Sequence, residues 1–163
     1  MALIYAKRTA PVFCKTVFFF LFLIVIFIFQ SCKSEKKTYK SDCNDNITFK
    51  RVKFSHLIDS IKNYDQQYIE VSGTYEEGRD ESALINDSLF VNHSNDHALW
   101  VNFSQDCPLY LTGTHTGLFE YNDGQFTQLN NKKITIRGKV DVRHKGHLGS
   151  YKGTIDRVSF VKL

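Results

Sequence analysis

The sequence predicts a mainly β domain, a small curved barrel with one short helix, carried behind a signal peptide and a flexible tether. Three observations predict it. Ile69-Glu-Val-Ser-Gly73-Thr-Tyr75 and Ile134-Thr-Ile-Arg-Gly138-Lys-Val140 alternate apolar and polar residues with a glycine on the apolar phase, the pattern of strands with one face on a core. The last segment, Tyr151 to Leu163, holds one apolar phase through Tyr151, Gly153 and Ile155 and then slips by one residue at Arg157 to Val158 and Phe160, as a β-bulge produces. Ahead of these lies a basic, then apolar, then polar succession that fits no barrel. With 163 residues the chain is sized for one domain, and 14% aromatic residues supply the burial that a disordered chain lacks.

Residues 1–31 carry Lys7, Arg8 and Lys15 but no Asp or Glu, and Val17 to Phe29 is an unbroken apolar run. As a helix that run extends ~20 Å, short of the ~30 Å hydrocarbon core a spanning helix must cross. A basic n-region with a short h-region reads as a secretory signal, with an uncleaved amino-terminal anchor as the alternative. Phe29, Gln30, Ser31 and Cys32 then resemble the lipobox of bacterial lipoproteins. The resemblance implies cleavage before Cys32, diacylation of its sulfur and palmitate-type chains that hold the protein on a membrane. Two or three chains anchor firmly where one is marginal. Lys33 rather than Asp follows Cys32, which in that family favours the outer membrane. Residues 32–46 are polar and without periodicity, the composition of a tether.

The folded domain is expected over 47–163. Residues 47–54 make a first strand whose alternation slips at Arg51. A helix of about ten residues follows, with Ser55 able to cap it, an apolar face of Leu57, Ile58, Ile61 and Tyr64, and a stop at Asn63 to Asp65. So short a helix needs a surface to dock on. After the Gly73 strand come short strands at Ala83 to Ile85, Leu89 to Val91 and Ala98 to Phe103. Leu118 to Tyr121 and Gln125 to Leu129 flank a turn at Asn122-Asp123-Gly124. Gly73 and Gly138 are structural glycines, placed where a strand must kink for a sheet to close. The two Ile-x-(Val/Ile)-x-Gly strands and the segment Gly146 to Gly153 resemble the OB-like barrels of small bacterial lipoproteins of unknown role. That resemblance implies a fold and little about activity, and a β-sandwich is the alternative architecture.

With Cys32 lipidated, Cys43 and Cys107 remain in an oxidising compartment as candidates for one disulfide, two free thiols being the alternative. Six histidines invite a metal reading. His93 and His97, around Asp96, are the best placed, but they lie in a polar turn and lack the Glu of the helical zinc-protease motif. His144 and His147 flank Lys145 in another turn. No nucleophile elbow or phosphate loop occurs, and the carboxylate pairs Glu76–Glu77 and Asp80–Glu81 read as solvated. No catalytic residue and no cofactor is therefore expected.

The formal charge of +4 points at first to nucleic acid. Without residues 1–31, however, 18 cations face 17 anions, and the blocks segregate: +4 over 32–53, −10 over 54–123 and +7 over 124–163. Lys132, Lys133, Arg137, Lys139, Arg143, Lys145, Lys152 and Arg157, interleaved with Tyr151 and Phe160, form the basic third. Single-stranded nucleic acid would suit such a stripe, but an exported protein meets little of it. The expectation is a monomeric, lipid-anchored, non-catalytic binding or accessory module with an envelope protein or glycan as partner. An envelope hydrolase or metal enzyme using the His93/Asp96/His97 turn is the alternative.

Overall fold

The computed structural model describes residues 36–86, 94–122 and 125–163, and within them Lys36–Leu163 is one compact unit. In chain order it has β1 (Thr38–Lys40), β2 (Lys50–Arg51), α1 (Phe54–Asp59), β3 (Tyr68–Gly78), β4 (Glu81–Ile85), β5 (Leu99–Val101) and β6 (Tyr110–Leu111). Then come β7 (Tyr121–Asn122), β8 (Gln125–Phe126), β9 (Lys132–Asp141) and β10 (Gly153–Lys162). The signal peptide, Cys32, His93 and the Leu89–Val91 strand expected from sequence lie outside the described residues.

β3, β4, β5, β10 and β9 close into a five-stranded barrel, the OB-like architecture the glycine strands announced. All its pairings are antiparallel except β5 with β10. Closure rests on two long strands that each change neighbours along one edge. β3 has β9 along one edge from Tyr68 to Tyr75, and along the other it meets β2 at Ile69–Glu70 and β4 at Thr74–Gly78. β10 meets β5 at Gly153–Ile155 and β1 at Phe160–Lys162, with β9 along its other edge. A strand that serves different partners at its two ends must bend between them, and the glycines and the bulge sit at those bends.

The bulge falls where the apolar phase slips. Asp156 faces Lys139 and Phe160 faces Arg137, so Arg157, Val158 and Ser159 all stand opposite Gly138. Arg157 takes φ 48° to accommodate the extra residues. A Cβ on Gly138 would come within 2.7 Å of the Asp156 carbonyl oxygen and 2.6 Å of Ile155, and one on Gly73 within 2.6 Å of the Ile85 carbonyl oxygen. Both glycines are buried and let a neighbouring backbone approach. Buried Asn44 pins the bulge, its Nδ2 donating to the Arg157 carbonyl at 2.8 Å.

The interior follows the predicted phase at Ile69, Val71, Tyr75, Ile134, Ile136, Val140, Ile155 and Val158, which are buried together. Past the bulge, Val161 is buried and Phe160, expected inward with Val158, is only partly buried, because three residues rather than two stand opposite Gly138. The helix face Leu57, Ile58, Ile61 and Tyr64 is buried as expected, with Ile61 packed against Gly153. Its form differs from the expectation. α1 begins at Phe54 behind Lys53, which supplies no side-chain cap, so Ser55 lies inside the helix rather than capping it. Ser60, at φ −127°, then interrupts the helix, and Ile61–Tyr64 continues as a 3-10 turn. The first expected strand, 47–54, shrinks to Lys50–Arg51 beside Ile69–Glu70 because buried Val52 and Phe54 turn the chain inward after the slip at Arg51.

Of the tether expected over 32–46, the part from Thr38 to Asn44 is corrected, while 32–35 lies outside the described residues. Thr38–Lys40 adds antiparallel to β10, Tyr39 is 2% exposed, and its hydroxyl lies 2.6 Å from that of Thr127. A lone buried ring among lysines has no periodicity to display, so polar composition concealed a strand. Cys43 is bonded to Cys107 with Cα atoms 5.3 Å apart, tying the turn at Asp42–Asn44 to the loop before Pro108.

Candidate functional site

Among the described residues no buried side-chain nitrogen or oxygen lacks a hydrogen-bond partner. The interior polar groups are satisfied, so the candidate sites are on the surface. Two clefts among the described residues lie towards opposite ends of β10.

The first, of about 420 Å³, is lined by Trp100, Asn102, Asp141, His144, Lys145, Gly146, Thr154 and Asp156. β5 and β10 run parallel here, so Trp100 and Thr154 stand side by side on the outward phase. The β9–β10 connection folds back over them. Gly146, at φ 66°, brings its backbone so close to the Trp100 indole that a Cβ would lie 2.6 Å from the ring, and Tyr151 meets the indole edge-on at 5.3 Å. Burial raises the Tyr151 phenol above its ordinary pKa, with the charges of Glu81 and Glu76 adding to the rise. The polar lining is held in place by internal bonds. Asn102 Nδ2 donates to Asp156 at 2.9 Å, Thr154 Oγ1 donates to the His144 carbonyl at 2.8 Å, and His144 Nδ1 lies 2.8 Å from Asp141 Oδ2. The His144 bond outweighs a small burial effect and holds the Asp141 carboxyl below the usual carboxylate range. A carboxylate so held is an acceptor and an anion at neutral pH, not a proton donor.

In OB-like barrels the second and third barrel strands, flanked by the first–second and fourth–fifth connections, form the surface used for oligonucleotides and oligosaccharides. Here those strands are β4 and β5 and the fourth–fifth connection is residues 142–152, which places Trp100 and Asn102 on that surface. No protein-family model matches the chain, and no curated protein or solved structure matches it. What the surface can bind therefore rests on its own chemistry: one aromatic wall, amide and carboxylate groups with fixed orientation, and little enclosed apolar volume.

The second cleft, of about 910 Å³, lies outside β2, β3 and β9 and takes in Arg51, Lys53, Glu70, Lys133, Arg137 and Lys162. Glu70 stands opposite Arg137 across the β3–β9 ladder. Its carboxylate, 11% exposed, accepts from Arg51 Nε and Arg137 Nε at 2.7 Å each. Burial pushes the Glu70 carboxyl upward, but the hydrogen bonds and charges of Arg137 and Arg51 outweigh it and leave it below the usual range. Arg137 also lies 4.4 Å over the Phe160 ring.

Several sequence candidates resolve differently. The rings expected to interleave with the basic stripe are covered, Tyr151 in the core beside Trp100 and Phe160 beneath Arg137. Arg157 is engaged at the bulge, reaching the Cys43 carbonyl at 3.3 Å. Asp96 and His97 are exposed on the 3-10 turn Asn95–His97, and His93, their proposed partner, is outside the described residues. His147 is exposed and does not join His144. Among the described residues no group of three or more His, Cys, Asp or Glu side chains comes within metal-binding reach. Trp100 was the residue sequence reasoning passed over. The signal was present, since Leu99-Trp100-Val101 alternates and puts the indole on the phase opposite to two buried neighbours.

Proposed function

We propose that this chain is a lipid-anchored envelope protein whose barrel is a non-catalytic binding module, and that the Trp100 cleft takes a hydroxyl-rich ligand of glycan type. The observation that carries the reading is the Trp100, Asn102 and Asp156 arrangement on the ligand-binding surface of an OB-like barrel. An aromatic wall beside oriented amide and carboxylate groups suits a sugar, whose C–H faces pack on rings while its hydroxyls pair with planar polar side chains. The basic, apolar and Cys32 succession supports export and acylation. The Cys43–Cys107 disulfide supports an oxidising compartment.

Trp100 is the sole tryptophan, so indole emission reports on this cleft alone. Titration with soluble envelope glycan fragments is expected to shift that emission saturably, and Asn102→Ala should weaken the ligand about tenfold, the value of one hydrogen bond of about 1.4 kcal/mol. Emission unchanged by every fragment, alongside specific capture of an envelope protein by the full chain, would replace the glycan reading with a protein partner. For the anchor, Cys32→Ser should leave an unprocessed or soluble protein; no change in processing together with unchanged membrane retention would favour the uncleaved helix.

A further inference from the structure

We infer that the basic cleft outside β2, β3 and β9 is a membrane-docking face, which lies against the anionic phospholipid headgroups of the bilayer that carries the Cys32 anchor. The inference rests on the proposed acylation for its geometry and on the cleft itself for its chemistry.

Five cations, Arg51, Lys53, Lys133, Arg137 and Lys162, line the cleft against one acid, Glu70. Glu70 is taken up by the two arginines at 2.7 Å. Among the described residues no ion pair engages Lys53, Lys133 or Lys162, and all three are exposed. Three ammonium groups with no ion pair among the described residues, around a broad, open depression, attract a surface of many phosphates better than they enclose one small anion.

The chain itself says which surface. Thr38 pairs with Lys162, and the Leu163 amide donates to the Lys37 carbonyl, so the amino-terminal segment joins the barrel at the rim of this cleft. Five residues separate Cys32 from Thr38, a reach of at most ~20 Å when fully extended. Lys36 and Lys37, exposed within that segment, add to the same positive field. An acylated Cys32 therefore holds the cleft near the headgroups, where charge pairing acts over about a Debye length, ~8 Å. Acyl chains plus a polybasic patch form a two-signal membrane attachment. β10 runs from the Trp100 cleft to Lys162, so docking at the Lys162 end leaves the Trp100 cleft about 25 Å along the strand from the bilayer.

The test uses the full chain, produced in a bacterium that processes lipoproteins and reconstituted into vesicles of phosphatidylcholine alone or with added phosphatidylglycerol. Lysine acylation by a water-soluble reagent is followed residue by residue by mass spectrometry. Lys53, Lys133 and Lys162 are expected to react at least about fivefold more slowly on anionic vesicles, the effect of one headgroup-paired cation. Lys145 and Lys152, at the far end, should react equally on both. Lys133→Glu should return Lys53 and Lys162 to their rates on neutral vesicles. The intact mass of the same sample reports acylation of Cys32, so loss of the anchor and loss of docking are read separately. Equal rates on both vesicles overturn the inference whether or not Cys32 is acylated. Protection reproduced by inorganic phosphate or glycerol phosphate without anionic lipid also overturns it, by assigning the cleft to a soluble anion.

Discussion

Gly138→Ala tests why this barrel closes. The added methyl would sit 2.6 Å from Ile155 Cγ2 and 2.7 Å from the Asp156 carbonyl oxygen, against a relaxed contact of about 3.5 Å or more. Ile155 is itself fully buried, and the Asp156 carbonyl belongs to the last β9–β10 pair before the bulge, so neither neighbour yields freely. Overpacking costs about 1–3 kcal/mol, and disturbing one ladder hydrogen bond adds about 1 kcal/mol. A total of about 3 kcal/mol lowers Tm by roughly 10 °C for a domain of this size. Gly78→Ala is the paired control, since its methyl meets only the mobile end of Glu81 at 3.2 Å and should change stability by less than about 0.5 kcal/mol. Denaturant unfolding of both variants at neutral pH measures the difference. If Gly138→Ala were as stable as Gly78→Ala, close backbone approach at the bulge would not be the reason for this glycine.

Three further outcomes follow from the described contacts. Replacing Cys43 and Cys107 together by Ala removes a crosslink spanning 64 residues, and loop entropy gives a loss of about 4 kcal/mol, read as a lower denaturation midpoint. Asn44→Ala leaves the bulge carbonyl of Arg157 without its donor and should cost about 1–2 kcal/mol in the same assay. The Glu70 carboxyl is held low in the folded state, so its ion pairs contribute fully above the unfolded pKa of about 4.3 and are lost as pH falls through the lower folded value. Wild type should therefore lose more stability than Glu70→Gln between about pH 5 and the acid limit; parallel acid curves would remove Glu70 as a source of acid sensitivity.

The basic and acidic blocks that segregate along the sequence are joined at the β3–β9 seam. Glu70 and Arg137, 67 residues apart, face each other because Ile69 pairs with Gly138 and Val71 with Ile136. That register also leaves Lys133 without an acid opposite, since Thr74 stands there. One ladder thus produces both the Glu70–Arg137 ion pair and an exposed cation at Lys133, a distinction that net charge does not contain. The Trp100 cleft has the same origin: its lining comes from β5, the end of β9, the 142–152 connection and the start of β10.

By itself the sequence determined which face of β3, of β9 and of β10 up to Ile155 is buried, where the strands bend and where the apolar phase slips, but not that Val161 rather than Phe160 points inward beyond the slip. Period-two alternation, two glycines and one phase change are local facts, and steric rules translate them locally. It also marked Cys43 and Cys107 as the candidate pair, while leaving their pairing open. Only the tertiary structure decided that Thr38–Lys40 is a strand, that the helix breaks at Ser60 and that the cysteines meet. It alone set Trp100 beside Asp156 and separated the paired cations from the unpaired ones. The physical reason is that hydrogen-bond register and burial are properties of segments far apart in the chain, and a residue's own neighbours in sequence carry no record of which strand will lie beside it.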